Sequence, residues 1–172
     1  EAADDDLADV LGGSAGEPRA DAPFGGDTSR ANGSSIALLL DYPATQPEVR
    51  FLLAGDAWPT VLEASIDRLV TPGEGLAISG FKLAHHGSVA NVSESLLGKL
   101  SCTNYLISTN GAIFHHPHAR CVELLLKTHS APGKPRLHFN YLAPTTEAWR
   151  GKADQTARGY QTFHPKGLSL VF

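Results

Sequence analysis

Two short segments hold the residues best suited to chemistry. Arg50-Phe51-Leu52-Leu53-Ala54-Gly55-Asp56 is an apolar run that ends in glycine and a single carboxylate. Phe81-Lys82-Leu83-Ala84-His85-His86-Gly87-Ser88 is another, ending in paired imidazoles released by a glycine. A carboxylate and imidazoles at strand ends suit a borderline-soft divalent cation, Zn first, with Mn or Fe as alternatives. A carboxylate such as that of Asp56 can put one oxygen on each of two metals, which an imidazole cannot. His86 would bind one metal through one ring nitrogen. His85, pointing the other way, is expected to orient a ligand or to donate to the transition state. A third cluster, Phe114-His115-His116-Pro117-His118, offers His116 as the imidazole that touches substrate. His116-Pro117-His118 also imitates a metal-binding His-x-His. Arg120 and Cys121 stand where that motif needs Asp and His, so the reading is rejected.

The elements that must position these groups follow from hydrophobic pattern and turn residues. Residues 35–42 contain the continuous run Ile36-Ala37-Leu38-Leu39-Leu40 and read as a buried strand. Residues 49–54 follow a proline-containing turn, so the pair reads as a hairpin. Residues 59–69 have helical spacing, with Val61, Leu62, Ser65, Ile66 and Leu69 on one face and Pro59 in the first turn. Residues 77–84 read as a third strand and 93–100 as a short helix capped by Ser93. Residues 104–108 read as a fourth strand and 118–128 as a helix. Residues 136–142 and 168–172 read as closing strands separated by a polar loop. Strands alternating with helices imply an α/β layered fold. If the fourth strand runs parallel to its neighbours, the third histidine cluster lies on the same rim as the other two.

Composition narrows the class. The chain has 172 residues with 42% apolar side chains, enough for one domain or a large piece of one. A net charge of −4 argues against broad capture of nucleic acid, although Lys82, Lys99, Arg120 and Lys127 could make local phosphate contacts. The two cysteines are too few for a disulfide framework and read as buried thiols. No apolar run approaches the ~20 residues of a membrane span. A cytoplasmic location is the default expectation. Residues 1–30 are acidic and then rich in Gly, Ala, Pro and Ser; they read as a linker or inserted loop, possible helical turns at 7–11 aside, leaving 31–172 as the folded unit. The chain begins at Glu1 and has no methionine, which reads as a piece of something longer.

Asn32-Gly33-Ser34-Ser35-Ile36-Ala37-Leu38-Leu39-Leu40, the run Phe51 to Asp56, the run Phe81 to Ser88, and Ile107-Ser108 with His116-Pro117 together resemble the second half of a metallo-β-lactamase-fold hydrolase of the ComEC-type branch. The resemblance covers residues 30–127 well and 162–172 loosely. It implies a four-layered αββα sandwich, here its C-terminal half, a mixed sheet with helices on one face, and a two-metal site at one edge. It matches Asp56 to a bridging aspartate, His86 to the last metal-binding histidine, and His116 to a histidine near the cleft. The family's His-x-His-x-Asp-His motif is missing from this sequence. The chain therefore supplies about two ligands, Asp56 and His86, and alone is expected to be inactive. Its expected partner is the N-terminal half of the same fold, from the same precursor or a separate chain.

The implied reaction is hydrolysis by water activated between two metal ions, Zn foremost, with Asp56, His85 and His116 as catalytic residues. The branch resemblance favours a phosphodiester substrate, including nucleic acid. Hydrolysis of a lactone or thioester would use the same metals. The competing class is a non-catalytic interaction module whose Asp56 and His86 are vestigial.

Overall fold

Six strands form one mixed sheet, and its register explains most of the apolar pattern. The computed structural model describes residues 25–43 and 49–164. Its elements in chain order are α1 (Arg30–Gly33), β1 (Leu38–Tyr42), β2 (Val49–Leu53), α2 (Pro59–Ile66), β3 (Leu76–Ile78), β4 (Gly80–Lys82), α3 (Glu94–Gly98), β5 (Leu100–Cys102), β6 (Asn104–Ile107), α4 (Ala119–Thr128), β7 (Arg136–Phe139), α5 (Pro144–Glu147), α6 (Lys152–Arg158) and β8 (Gln161–Phe163). The large sheet has the order β1-β2-β4-β6-β7-β8. β1 and β2 are the expected antiparallel hairpin, and every later pairing in the sheet is parallel. β3 and β5 form a separate two-stranded parallel sheet. The fold is α/β with a mixed sheet and helices.

The two faces of the large sheet differ. One row across it, Leu52, Phe81, Tyr105 and Leu137, is buried throughout. Each such side chain contributes roughly 1.5–3 kcal/mol by leaving water. Leu62 and Ile66 of α2, Leu96 and Leu97 of α3, and Cys121, Val122 and Leu125 of α4 belong to the same core. Both thiols stay protonated, pushed up to about 12 by burial. The alternate row, Leu53, Lys82 and Leu106, is only half buried. On β1 the same alternation leaves Leu38 and Leu40 each 55% exposed and Tyr42 73% exposed.

Several expectations need correction. Residues 35–42 are not a fully buried strand: β1 begins at Leu38 and lies at the sheet edge, so only Leu39 is turned toward the core. Residues 77–84 are not one strand. The chain breaks at Ser79, whose carbonyl accepts from Asn104 Nδ2 at 2.8 Å and whose N–H donates to the Arg50 carbonyl at 2.8 Å. With both its polar groups satisfied there, the backbone crosses from the small sheet to the large one. The helix expected over 59–69 ends at Ile66; its buried residues are Pro59, Leu62 and Ile66, while Val61 and, beyond its end, Leu69 are exposed. The stretch expected as a polar loop contains α5, α6 and β8. There Trp149 and Tyr160 are buried, Arg158 lies 5.7 Å from each ring centre and also pairs with Glu123, so this segment covers the end of the sheet. The expected strand at 168–172, the turns at 7–11 and most of the expected linker at 1–30 lie outside the described residues. Ser93 caps α3 as expected, accepting from the Leu96 N–H at 3.0 Å. Among the described residues no helix is long and apolar enough to cross a membrane.

Candidate functional site

Because β2, β4 and β6 run parallel, the segments that follow them leave the sheet at one edge. Gly55-Asp56 follows β2, Ala84–Gly87 follows β4, and residues 108–118 follow β6. Backbone hydrogen bonds lash them together. His85 N–H donates to the Gly55 carbonyl at 2.9 Å, and His118 N–H donates to the Gly87 carbonyl at 3.1 Å. The Asp56 N–H donates to Ser35 Oγ at 3.2 Å. The sheet thus brings the three sequence segments to one rim.

The histidines form a chain of rings. His85 and His86 lie 6.2 Å apart between centres, His85 and His116 5.1 Å, and His116 and His118 4.5 Å. Among the described residues three non-glycine residues have left-handed backbone: His85 (φ 43°), His86 (φ 56°) and His115 (φ 54°). Such conformations cost on the order of 1–3 kcal/mol each and gather at functional sites. All three belong to the histidine segments of this rim.

Partner chemistry fixes how several imidazoles are protonated. His86 is exposed, and its Nδ1 lies 2.5 Å from the Ser108 carbonyl. A carbonyl only accepts, so Nδ1 carries the hydrogen and Nε2 of the neutral ring keeps its lone pair. This is the arrangement that metal-ligating histidines adopt. His118 is the reverse: its Nδ1 accepts from the Val89 N–H at 3.1 Å, so its hydrogen sits on Nε2. His118 is buried and starts α4 without capping it through its side chain. His116 is 5% exposed, and neither ring nitrogen has a hydrogen-bond partner among the described residues. Burial, reinforced by His118, His85, His86 and His115, pulls its pKa down to about 3. It is therefore a neutral imidazole with one N–H and one lone pair unspent.

Asp56 is half buried and faces a cation. Lys82 on β4 lies within its electrostatic reach; burial pulls the ammonium's pKa down and Asp56 partly restores it. Lys82 Nζ donates to the Leu83 carbonyl at 3.0 Å. Two of the other cations expected to meet phosphate are committed elsewhere: Lys99 pairs with Asp67 at 2.5 Å and Lys127 approaches Glu94 at 3.7 Å. Beside the rim is a cavity of about 300 Å³, lined by His86, Ser108, Asn110, Phe114, His116 and Tyr141 among others. It reaches two of the expected residues, His86 and His116. Asp56 and His85 are not in its lining.

Sequence reasoning missed four contributors. Asp27 lay within the expected linker, yet its Oδ2 accepts from Asn32 Nδ2 at 2.6 Å and from Asn91 Nδ2 at 2.7 Å. Asn91 Nδ2 also donates to the Asp56 carbonyl at 3.0 Å, and Asn91 Oδ1 lies 3.1 Å from His85 Nδ1. Asn32 belongs to α1 and not to a strand. Thr145 of α5 donates its hydroxyl to the His116 carbonyl at 2.9 Å and braces that loop. Only Asn32 carried a sequence signal, as the first residue of the run Asn32 to Leu40 in the family resemblance. Asp27 and Asn91 are 64 positions apart and meet only through the fold.

The donor set can be tested against a metal. His86, with its tautomer fixed, and Asp56 suit ligand roles. Among the described residues no group of three or more His, Cys, Asp or Glu is arranged to hold an ion. The described residues do not by themselves make a metal site.

His116 offers a direct check on whether this rim is built for stability or for use. Leaving a buried polar group unpaired costs about 1–3 kcal/mol. Replacing His116 with Leu is expected to raise stability in urea denaturation by about 1 kcal/mol or more. A drop would show that the imidazole is structural. No protein-family model matches the chain, and no curated protein and no solved structure matches it.

Proposed function

We propose that this chain is the C-terminal half of a metal-dependent hydrolase of the metallo-β-lactamase type, acting on a phosphodiester. The observation that carries the reading is the shared rim: three parallel strands end in Asp56, the His85-His86 pair and the His116 loop, with His86 held in the ligand tautomer. The sheet supports it as well. A half-sandwich should have one face covered by helices and one bare apolar face awaiting a second sheet, and Leu38, Leu40 and Tyr42 are exposed on a strand whose opposite face is packed. The N-terminal half of the same fold is the partner that would cover it and supply the remaining ligands.

Two divalent ions, Zn foremost, would supply Lewis-acid polarisation and an activated water. Asp56 and His86 would hold them from this side. His116, neutral and unpaired, would donate its one N–H to an oxygen on which negative charge develops, a role worth about 3–4 kcal/mol when preorganised. Ser108 fixes His86 through its carbonyl. The 300 Å³ cavity, with Phe114 and Tyr141 in its wall, would seat the group attached to the phosphoryl centre.

A non-catalytic docking module is the second reading. The incomplete ligand set and the exposed apolar strip on β1 favour it. Elemental analysis of the chain co-purified with an N-terminal half, together with hydrolysis of bis(p-nitrophenyl) phosphate, separates the two. About two equivalents of metal, with turnover abolished in Asp56→Ala, support the hydrolase. No metal in the assembled pair leaves the docking module.

A further inference from the structure

The amide network around His85 points to a role for that ring different from the one expected from sequence. Asn91 Nδ2 sits between the Asp27 carboxylate at 2.7 Å and the Asp56 carbonyl at 3.0 Å. Neither can donate, so both amide hydrogens are used there and the orientation of the Asn91 amide is fixed. Its Oδ1 must then be the atom 3.1 Å from His85 Nδ1, and Oδ1 can only accept. Nδ1 of His85 therefore carries a hydrogen. The Asn32 amide gives one of its two hydrogens to Asp27 at 2.6 Å and lies 3.4 Å from the same nitrogen, a longer contact than the 3.1 Å to Asn91, and Asp27 Oδ2, which also accepts, stands 3.8 Å from that nitrogen. Asp27 itself is 9% exposed at its side chain and is anchored twice more. Its Oδ1 accepts from the Ser29 N–H at 2.8 Å, and its own N–H donates to the Ala90 carbonyl at 3.1 Å.

We propose that Asn91 and Asp27 are positioning residues that hold His85 as the Nδ1–H tautomer, so that its Nε2 meets a bound molecule as a hydrogen-bond acceptor and not as a donor. The proposal rests on the rim being a site, and it divides the labour within it. His85 receives a hydrogen bond from a water or hydroxyl and orients it. His116, whose N–H is unspent, remains the imidazole that can face negative charge. The arrangement reaches from residue 27 to residue 91, and each member is bonded to the next. Asp27 orients Asn91, and Asn91 orients His85.

Long-range proton–nitrogen NMR of protein labelled with ¹⁵N-histidine, recorded above neutral pH, reads the tautomer directly. The wild-type chain is expected to show His85 with a protonated Nδ1 and a bare Nε2. His118, fixed the opposite way by Val89, is the internal control for folding. Asn91→Leu is expected to release His85 toward the Nε2–H form that free imidazole side chains favour, with His118 unchanged. Asp27→Asn is the milder variant: an amide there must turn its NH₂ either to the Ser29 N–H or to the two asparagine amides, so it should loosen the His85 tautomer partially. A wild-type His85 protonated on Nε2 overturns the proposal without any variant. An unchanged His85 in a folded Asn91→Leu protein overturns the role of Asn91. The readout needs neither metal nor substrate. Absence of metal and hydrolysis alongside an Nδ1–H His85 would sink the hydrolase reading alone, and an active enzyme with Nε2–H would sink this one alone.

Discussion

Acidifying the protein from pH 6.5 to about 4.5 removes about 4–5 kcal/mol of stability, through two buried histidines that refuse a proton in the folded state. Burial, with the neighbouring imidazoles, holds His116 at about 3, and burial with the nearby Arg136 holds His138 at about 4. In the unfolded chain both take a proton near 6.5. Between those values the unfolded chain binds more protons than the folded one, so stability is complete above 6.5 and falls as pH falls. Each histidine contributes a slope of about 1.4 kcal/mol per pH unit. The slope ends once the folded-state values are reached. His138 cannot escape by rotating: it is 3% exposed, its Nε2 lies 3.0 Å from Asn104 Oδ1, and its ring stacks on Phe163 with centres 4.8 Å apart. Against a total stability of roughly 5–15 kcal/mol, the loss brings the domain close to unfolding. Urea midpoints measured across that pH range should fall steadily, and His116→Leu should halve the slope. A flat profile would show that both rings can be protonated inside the fold.

Gly87→Ala costs about 2–4 kcal/mol, the sum of a left-handed backbone penalty and a clash that cannot relax. Gly87 has φ +88°, and a β-carbon there would stand 2.8 Å from Pro117 Cβ and 3.4 Å from its Cα. Proline has no rotamer with which to give way. The residue on one side of the contact follows His86 and the residue on the other follows His116, so the methyl group would wedge apart the two loops that bring those rings together. The Gly87 carbonyl also accepts the first N–H after Pro117, at 3.1 Å. Two readouts are expected to move together: the urea midpoint falls, and the His118 tautomer, set by Val89 two positions beyond Gly87, loses its definition. Loss of stability with His118 unperturbed would mean that the loops move as one body and the wedge model is wrong.

The strands were legible where side-chain alternation and glycine release act locally. The hairpin of β1 and β2, the exit of β4 into His85-His86, and the placement of the His116 loop on the same rim all follow from runs of four to six residues bounded by breakers. What could not be read is decided by distant partners. A continuous run such as Ile36 to Leu40 has the composition of a buried strand; that one of its faces is bare depends on which strand lies beside it. The break at Ser79 depends on the Asn104 amide donating to its carbonyl and the Arg50 carbonyl accepting its N–H. The site divides in the same way. Asp56, His85, His86 and His116 announced themselves by residue type after an apolar run. Asp27 and Asn91 have ordinary types in polar segments, and their meaning comes from bonds across 64 positions. The role of His85 turned on an amide that no local pattern marks.

The open side of β1 is a pairing edge. Leu38, Leu40 and Tyr42 present an apolar strip on a strand that is also the sheet's edge among the described residues. The Asp41–Arg50 pair, bonded at 2.6 and 2.7 Å, places charge on the opposite side of that strand and pins its register, but does not shield the strip. Two copies meeting along this edge would join into one continuous sheet with β8 at each outer end. Left uncovered, such a strand favours pairing with a second strand, expected as a concentration-dependent rise in mass in sedimentation.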